Sequence, residues 1–149
     1  MSRRGLRILV DTFFILPVLG FKTDNAILNS LPLLRLCDVY YSDVSILEAL
    51  WKIVRVIKDR EQARIVLEGA GLLGSSFKRV EIDGKALGIA IELYLRGHKD
   101  LIDNILYGVS ISKNLKLLTI DKELRIFIKN QGLEDTLLYP EELARALGI

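Results

Sequence analysis

The apolar positions of this chain fall into short blocks separated by longer mixed segments. Leu6 to Val10 is a run of branched apolar residues broken only by Arg7, with Gly5 before it and Asp11-Thr12 after it. Such a run reads as a buried strand. Val39 to Tyr41 and Leu115 to Thr119 repeat the pattern, and Val80 to Ile82 and Leu137 to Tyr139 do so more weakly. The segments between them carry helical spacing. Phe13 to Leu19 starts from an Asp or Thr cap, is disturbed by Pro17 and stops at Gly20. Asp24 to Leu36 is helical with Pro32 as a complication, and Glu61 to about Leu73 is helical until Gly69, Gly71, Gly74 and Ser75-Ser76 mark its end and a flexible loop. Further helices are expected over Lys85 to Leu95, Asp100 to about Asn114, Lys122 to about Gln131, and Glu141 to Leu147 behind Pro140.

Short apolar strands alternating with helices predict an α/β fold, a short central parallel sheet flanked by helices on both faces. The whole chain, residues 1–149, reads as a single domain, with no repeat and no linker. The helix from Val44 to about Asp59 is the most informative segment. Its polar residues Ser45, Glu48, Lys52, Arg55 and Asp59 recur at spacings of three and four, a single stripe on an otherwise apolar cylinder. That pattern predicts a helix buried on three sides, with Glu48 on its only polar face. Trp51 and the phenylalanines are expected in the core.

Composition narrows the setting. A lone Cys37 and a lone His98 cannot build a disulfide or a Cys/His zinc site from this chain. His98, in the turn-like Gly97-His98-Lys99, receives no catalytic role. The first residues lack the apolar segment of a signal peptide, and no apolar run reaches the length that spans a bilayer, so a soluble, cytoplasmic protein is expected. The high apolar content also makes a homodimer a reasonable expectation.

The charges, 21 basic against 19 acidic, look too even for a nucleic-acid binder. If four carboxylates were neutralised in a metal site, 21 basic residues would face 15 acidic ones, a net +6 able to attract phosphate. Arg3, Arg4, Arg7, Lys52, Arg55, Lys78 and Arg79 are candidates for an RNA path, with Lys52 and Arg55 preferred because they continue the Glu48 stripe.

In an open parallel sheet, ligands bind beyond the carboxyl ends of the strands. Asp11 and Asp121 follow strands there, Asp103 opens a helix, and Glu48 points from its stripe. Carboxylates brought together repel one another unless protons or a hard cation such as Mg²⁺ or Mn²⁺ neutralise them. Each has a plainer reading. Asp100, Asp103 and Asp121 are all natural helix caps, and Glu48 has Lys52 one turn away. Asp100 is assigned to the cap and Asp103 to the metal, because Asp103, Tyr107 and Ser110 share a face; the reverse assignment stays open.

The segments Ile8-Leu9-Val10-Asp11-Thr12, Ser42-Asp43-Val44-Ser45-Ile46-Leu47-Glu48, Asp103-Asn104-Ile105-Leu106-Tyr107-Gly108-Val109-Ser110 and Leu117-Leu118-Thr119-Ile120-Asp121 together resemble a PIN domain. The resemblance covers nearly the whole chain. It implies a Mg²⁺- or Mn²⁺-dependent ribonuclease acting on RNA, often the VapC-like toxin of a pair with an antitoxin protein. It implies Asp11, Glu48 and Asp103 as core metal ligands, Asp121 as a fourth, sometimes through water, and Thr119 as the hydroxyl that orients the acidic site. Thr12 and Asp100 stand beside these as supporting residues. Phe13 departs from the pattern, since family members often carry a small polar residue there. A receiver-like phosphoacceptor domain and a non-catalytic PIN-like module that binds RNA or protein are the alternatives. No Walker Gly-Lys-Ser/Thr motif and no Gly-x-Ser-x-Gly elbow occurs.

Overall fold

The computed structural model describes residues 5–149, so Arg3 and Arg4 of the candidate RNA path lie outside the described residues. Its frame is a five-stranded sheet built from β1 (Arg7–Val10), β2 (Asp38–Tyr41), β3 (Lys78–Arg79), β4 (Lys116–Leu118) and β5 (Leu137–Leu138). The strand order is β3-β2-β1-β4-β5 and every pairing is parallel, with Ile8 opposite both Val39 and Lys116. A receiver-type sheet runs in the order 2-1-3-4-5, so this topology removes that alternative.

Period-two alternation in β1 divides the core into two layers. Ile8 and Val10 point into one cluster with Phe14, Ile27, Ala49, Ile53 and Val66. Leu9 points into the other, with Ala86, Leu106, Val109, Leu124 and Ile128. The first layer is supplied by α1 (Thr12–Ile15), α2 (Asn25–Leu34), α3 (Asp43–Val54), α4 (Arg60–Ser76) and α8 (Leu143–Ala146). The second comes from α5 (Gly84–Leu95), α6 (Leu101–Ser112) and α7 (Lys122–Asn130). Helices cover both faces because a parallel sheet needs crossovers and leaves neither face wet.

Several elements differ from the sequence expectation. The helix after Asp11 is only Thr12–Ile15, and the chain then turns through Pro17 to Gly20, whose φ of 91° few other residues adopt. Pro32 is accommodated inside α2, near its C-terminal end. The third strand forms at Lys78–Arg79, ahead of the expected Val80 to Ile82, and the last helix begins as a 3-10 turn at Pro140–Glu142. Gly69 does not end a helix. It lies inside α4, where an added Cβ would stand 2.3 Å from the Val18 carbonyl oxygen, so its missing side chain lets α4 press against the turn after α1.

The largest correction concerns α3. It ends at Val54, and only Ser45, Ala49 and Ile53 are buried along it. Leu47, Leu50, Trp51 and Val54 are exposed, so three buried sides are not found and Trp51, at 55%, is not core. Phe13 is exposed at 37%, whereas Phe14 is fully buried. Apolar character drives burial but does not say whether a covering partner lies within the same chain.

Candidate active site: an acidic cleft at the sheet's switch point

The chain passes from β3, on one side of β1, to β4 on the other by way of α5 and α6. This reversal puts a crevice beyond the carboxyl ends of β1 and β4, where open α/β sheets bind their ligands. Asp11 follows β1 directly, and its amide donates to the Leu118 carbonyl at 3.1 Å, binding the two strand ends together. A cleft of about 310 Å³ opens there, and Asp11, Glu48, Asp100, Asp103 and Asp121 all line it. Thr12, Phe13, Lys52 and Ile120 complete the lining.

Each acidic residue is held by its local structure. Asp11 caps α1 by accepting from the Phe13 amide at 2.9 Å. Asp100 caps α6 by accepting from the Asp103 amide at 3.1 Å, and Asp121 caps α7 by accepting from the Leu124 amide at 3.1 Å. Capping thus aims these side chains at the cleft instead of competing with it. Glu48 reaches the cleft from α3, one turn on from the buried Ser45.

Thr119 links the strand ends. Its hydroxyl oxygen accepts from the Asp121 amide at 3.0 Å and its O–H lies against the Asp11 carboxyl. Asp11 is almost fully buried, and this burial pushes its carboxyl up to about 7. Hydrogen bonding from Thr119 and Phe13 opposes that rise, and the Glu48 charge adds to it. Burial also raises Asp103, reinforced by Asp121 and Asp100. Desolvation pulls Asp121 up as well, but the hydrogen bond with Asp103 and the amides of Leu124 and Glu123 outweigh it and hold it below the ordinary value. Asp103 and Asp121 therefore titrate as a pair, with Asp103 pushed up and Asp121 held down.

The donor set suits a hard divalent cation. All its atoms are oxygens, burial pushes two of its carboxyls up, and the buried Thr12 hydroxyl has no hydrogen-bond partner. Among the described residues, no three acidic, cysteine or histidine side chains already converge closely enough to grip an ion. The carboxylates ring the cleft in two groups, Asp11 with Glu48 and Asp103 with Asp100 and Asp121.

Of the basic candidates, Lys52 lines the cleft, while Arg55 is the exposed C-cap of α3 and is not part of the lining. Lys78 pairs with Asp38 at 3.0 Å and Arg79 with Asp43 at 2.6 Å on the sheet edge. Arg7 stands at the start of β1, the opposite end from Asp11, and donates to the Lys113 carbonyl at 3.2 Å. Two contacts were not legible in the sequence. The His98 ring lies 2.6 Å from the buried Asn104 side chain, whose amide returns to the His98 carbonyl at 2.7 Å, so the pair anchors the loop that carries Asp100. Phe13 and Lys52 form the second, with the ammonium 4.9 Å from the ring centroid. Neither spacing falls on one element, so no periodicity announces it.

Solved structures share this architecture. PAE2754 from Pyrobaculum aerophilum is 23% identical over 96% of this chain and 97% of its own, with a TM-score of 0.62. The Mycobacterium tuberculosis toxin VapC20, which cleaves the sarcin–ricin loop, is 18% identical over 86% of this chain and 97% of its own, at 0.60. A chain of a toxin–antitoxin complex from Klebsiella pneumoniae is 15% identical over 89% and 97%, at 0.59. At these identities the likeness concerns the fold. No curated protein matches the chain. Residues 8–129 match the model of the PIN domain, which spans most of the sequence and includes every carboxylate of the cleft, and the chain belongs to the PIN domain family.

Proposed function

We propose that this protein is a divalent-metal-dependent ribonuclease that hydrolyses RNA phosphodiester bonds in the acidic cleft. The observation that carries the reading is the cleft itself, with Asp11, Glu48, Asp103 and Asp121 around one opening at the switch point of the sheet. Asp11, Glu48 and Asp103 would hold Mg²⁺ or Mn²⁺, with Asp121 as a fourth ligand, directly or through water. When bound, such an ion supplies Lewis-acid polarisation of the phosphodiester and a lowered pKa for water. The chain's own residues do the positioning. Thr119 orients Asp11 and the Asp121 backbone together, and Asp100 fixes the first turn of α6 so that Asp103 faces the opening. Lys52, at the rim, suits a strand phosphate.

Family membership and the ribonucleolytic toxin among the structural neighbours support the same reading, and a toxin–antitoxin complex among them supports an antitoxin partner. The exposed row Leu47, Leu50, Trp51 and Val54 on α3 is the apolar surface a partner would cover, and it favours a homodimer as a further part of the proposal. No helix among the described residues is long and apolar enough to cross a membrane.

The test is cleavage of single-stranded RNA by the purified protein. Mg²⁺ or Mn²⁺ is expected to support cleavage, EDTA to abolish it, and Asp11→Asn to abolish it while circular dichroism stays unchanged. Equal cleavage by Asp11→Asn overturns the site assignment. RNA binding without cleavage in either metal favours the non-catalytic module instead.

A further inference from the structure

We propose that Phe13 and Lys52 form a strand-gripping platform at the mouth of the cleft, with Phe13 stacking the unpaired base beside the scissile phosphate and Lys52 holding an adjacent phosphate. The inference rests on the ribonuclease reading of the same cleft and adds how that cleft would engage a single strand.

Position 13 is unusual for its place. Its neighbours Thr12, Phe14 and Ile15 are all buried, yet the Phe13 ring is 37% exposed. About a third of its surface stays open to solvent at the cleft, an aromatic area free to meet a ligand. Its backbone is fixed, since the Phe13 amide donates to Asp11 at 2.9 Å, which ties the ring to the first carboxylate of the cleft. Both Phe13 and Lys52 line that cleft together with Glu48. A platform needs this combination: a flat apolar face, held at a set distance from the reacting phosphate and open to solvent.

Lys52 adds the charge. Its ammonium sits over the Phe13 ring, 4.9 Å from the centroid, and forms no ion pair with any described acidic residue within 4.0 Å. A lysine over an exposed ring is weakly held, and its flexible four-carbon stem lets the ammonium swing onto a phosphate. That exchange uncovers the ring face for a base. Stacking on an aromatic face tolerates any base sequence and requires the base to be unpaired, so the platform selects single-stranded over duplex RNA.

The test uses short single-stranded RNAs carrying 2-aminopurine at successive positions, titrated into the full-length protein with Ca²⁺ as the divalent ion, and reads both fluorescence quenching and affinity. Wild type and Phe13→Tyr are expected to quench one position strongly. Phe13→Leu keeps apolar bulk without the aromatic face and is expected to lose that quenching and bind roughly tenfold more weakly, as is Phe13→Ala, with circular dichroism confirming the fold of both. Lys52→Gln is expected to keep the quenching but to lower the slope of log affinity against log salt by about 0.7. Wild-type quenching and affinity in Phe13→Leu overturn the platform, as does the absence of any quenched position in wild type. Quenching by wild type without cleavage in Mg²⁺ or Mn²⁺ leaves the platform standing and removes the ribonuclease reading.

Discussion

The Thr119 hydroxyl accepts from the Asp121 amide at 3.0 Å, so the residue that follows β4 sets the backbone entering α7. The same hydroxyl meets the Asp11 carboxyl across the strand pair. One small side chain therefore couples two walls of the cleft.

Replacing it isosterically tests that coupling. Thr119→Val keeps the volume but leaves the Asp121 amide without its acceptor and Asp11 without the Thr119 hydroxyl, its Phe13 amide donor remaining. Metal affinity is expected to fall about 10- to 100-fold, as for other residues that orient ligands without touching the ion. Calorimetric titration with Mn²⁺ reads the change, and unaltered affinity would show that Thr119 has no orienting part.

The metal-free protein is expected to lose stability as pH rises. The Asp11 carboxyl ionises near 3.8 when unfolded and near 7 when folded, so between those values the native state holds a proton that the unfolded chain has released. Stability is then fully present below about pH 4 and declines as pH rises through 7, by up to about 4 kcal/mol from this group. Thermal unfolding in EDTA from pH 5 to 8 should show a falling Tm. Asp11→Asn should make the trend shallower, leaving the part that the raised Asp103 contributes, and Mg²⁺ or Mn²⁺ should restore Tm at pH 8 far more than at pH 5.

Gly108 sits where α6 meets α5, and a Cβ there would stand 2.4 Å from the Ala86 carbonyl oxygen. Alanine improves intrinsic helix propensity by about 1 kcal/mol, but the contact is with backbone that cannot swing aside. Gly108→Ala is expected to be destabilising by about 1–3 kcal/mol net, measured by urea unfolding. Because α6 carries Asp103, metal affinity should fall with it.

Asp100 separates capping from chemistry. Asp100→Asn keeps an oxygen for the Asp103 amide, while Asp100→Ala removes it at a cost of about 0.5–2 kcal/mol. If Asp100 acts only as a cap, Asn preserves both stability and cleavage. Cleavage lost in Asp100→Asn at unchanged stability would make its charge part of the site.

Local sequence signals carried much of the architecture. The apolar run ending at Asp11 could only be a strand buried on both faces, since Ile8 and Val10 alternate with Leu9 into two different cores. Asp83, Asp100 and Asp121 cap helices through their side chains because a short acceptor beside free amides is a property of a few consecutive residues, whereas Asp59, expected on the polar stripe of α3, caps α4 instead by accepting from the Gln62 amide at 2.9 Å. The place of Asp11 and Asp121 just beyond strands was legible for the same reason.

What the sequence by itself determined, then, was the order of strands and helices and most of the caps that begin the helices, because those depend on neighbours within a turn or two. Only the tertiary structure decided which surfaces meet. Gly69 looks like a helix end until α4 is seen against Val18, and Gly108 looks like an ordinary helix position until α6 is seen against Ala86. Trp51 looks like core until α3 is seen with that side uncovered. The Phe13 ring under Lys52 and the His98 loop pinned by Asn104 join segments whose proximity comes from packing alone. The carboxylates belong to both levels: local caps and strand ends aim Asp11, Asp103 and Asp121, but only the reversal of the sheet between β3 and β4 brings them and Glu48 around one cleft.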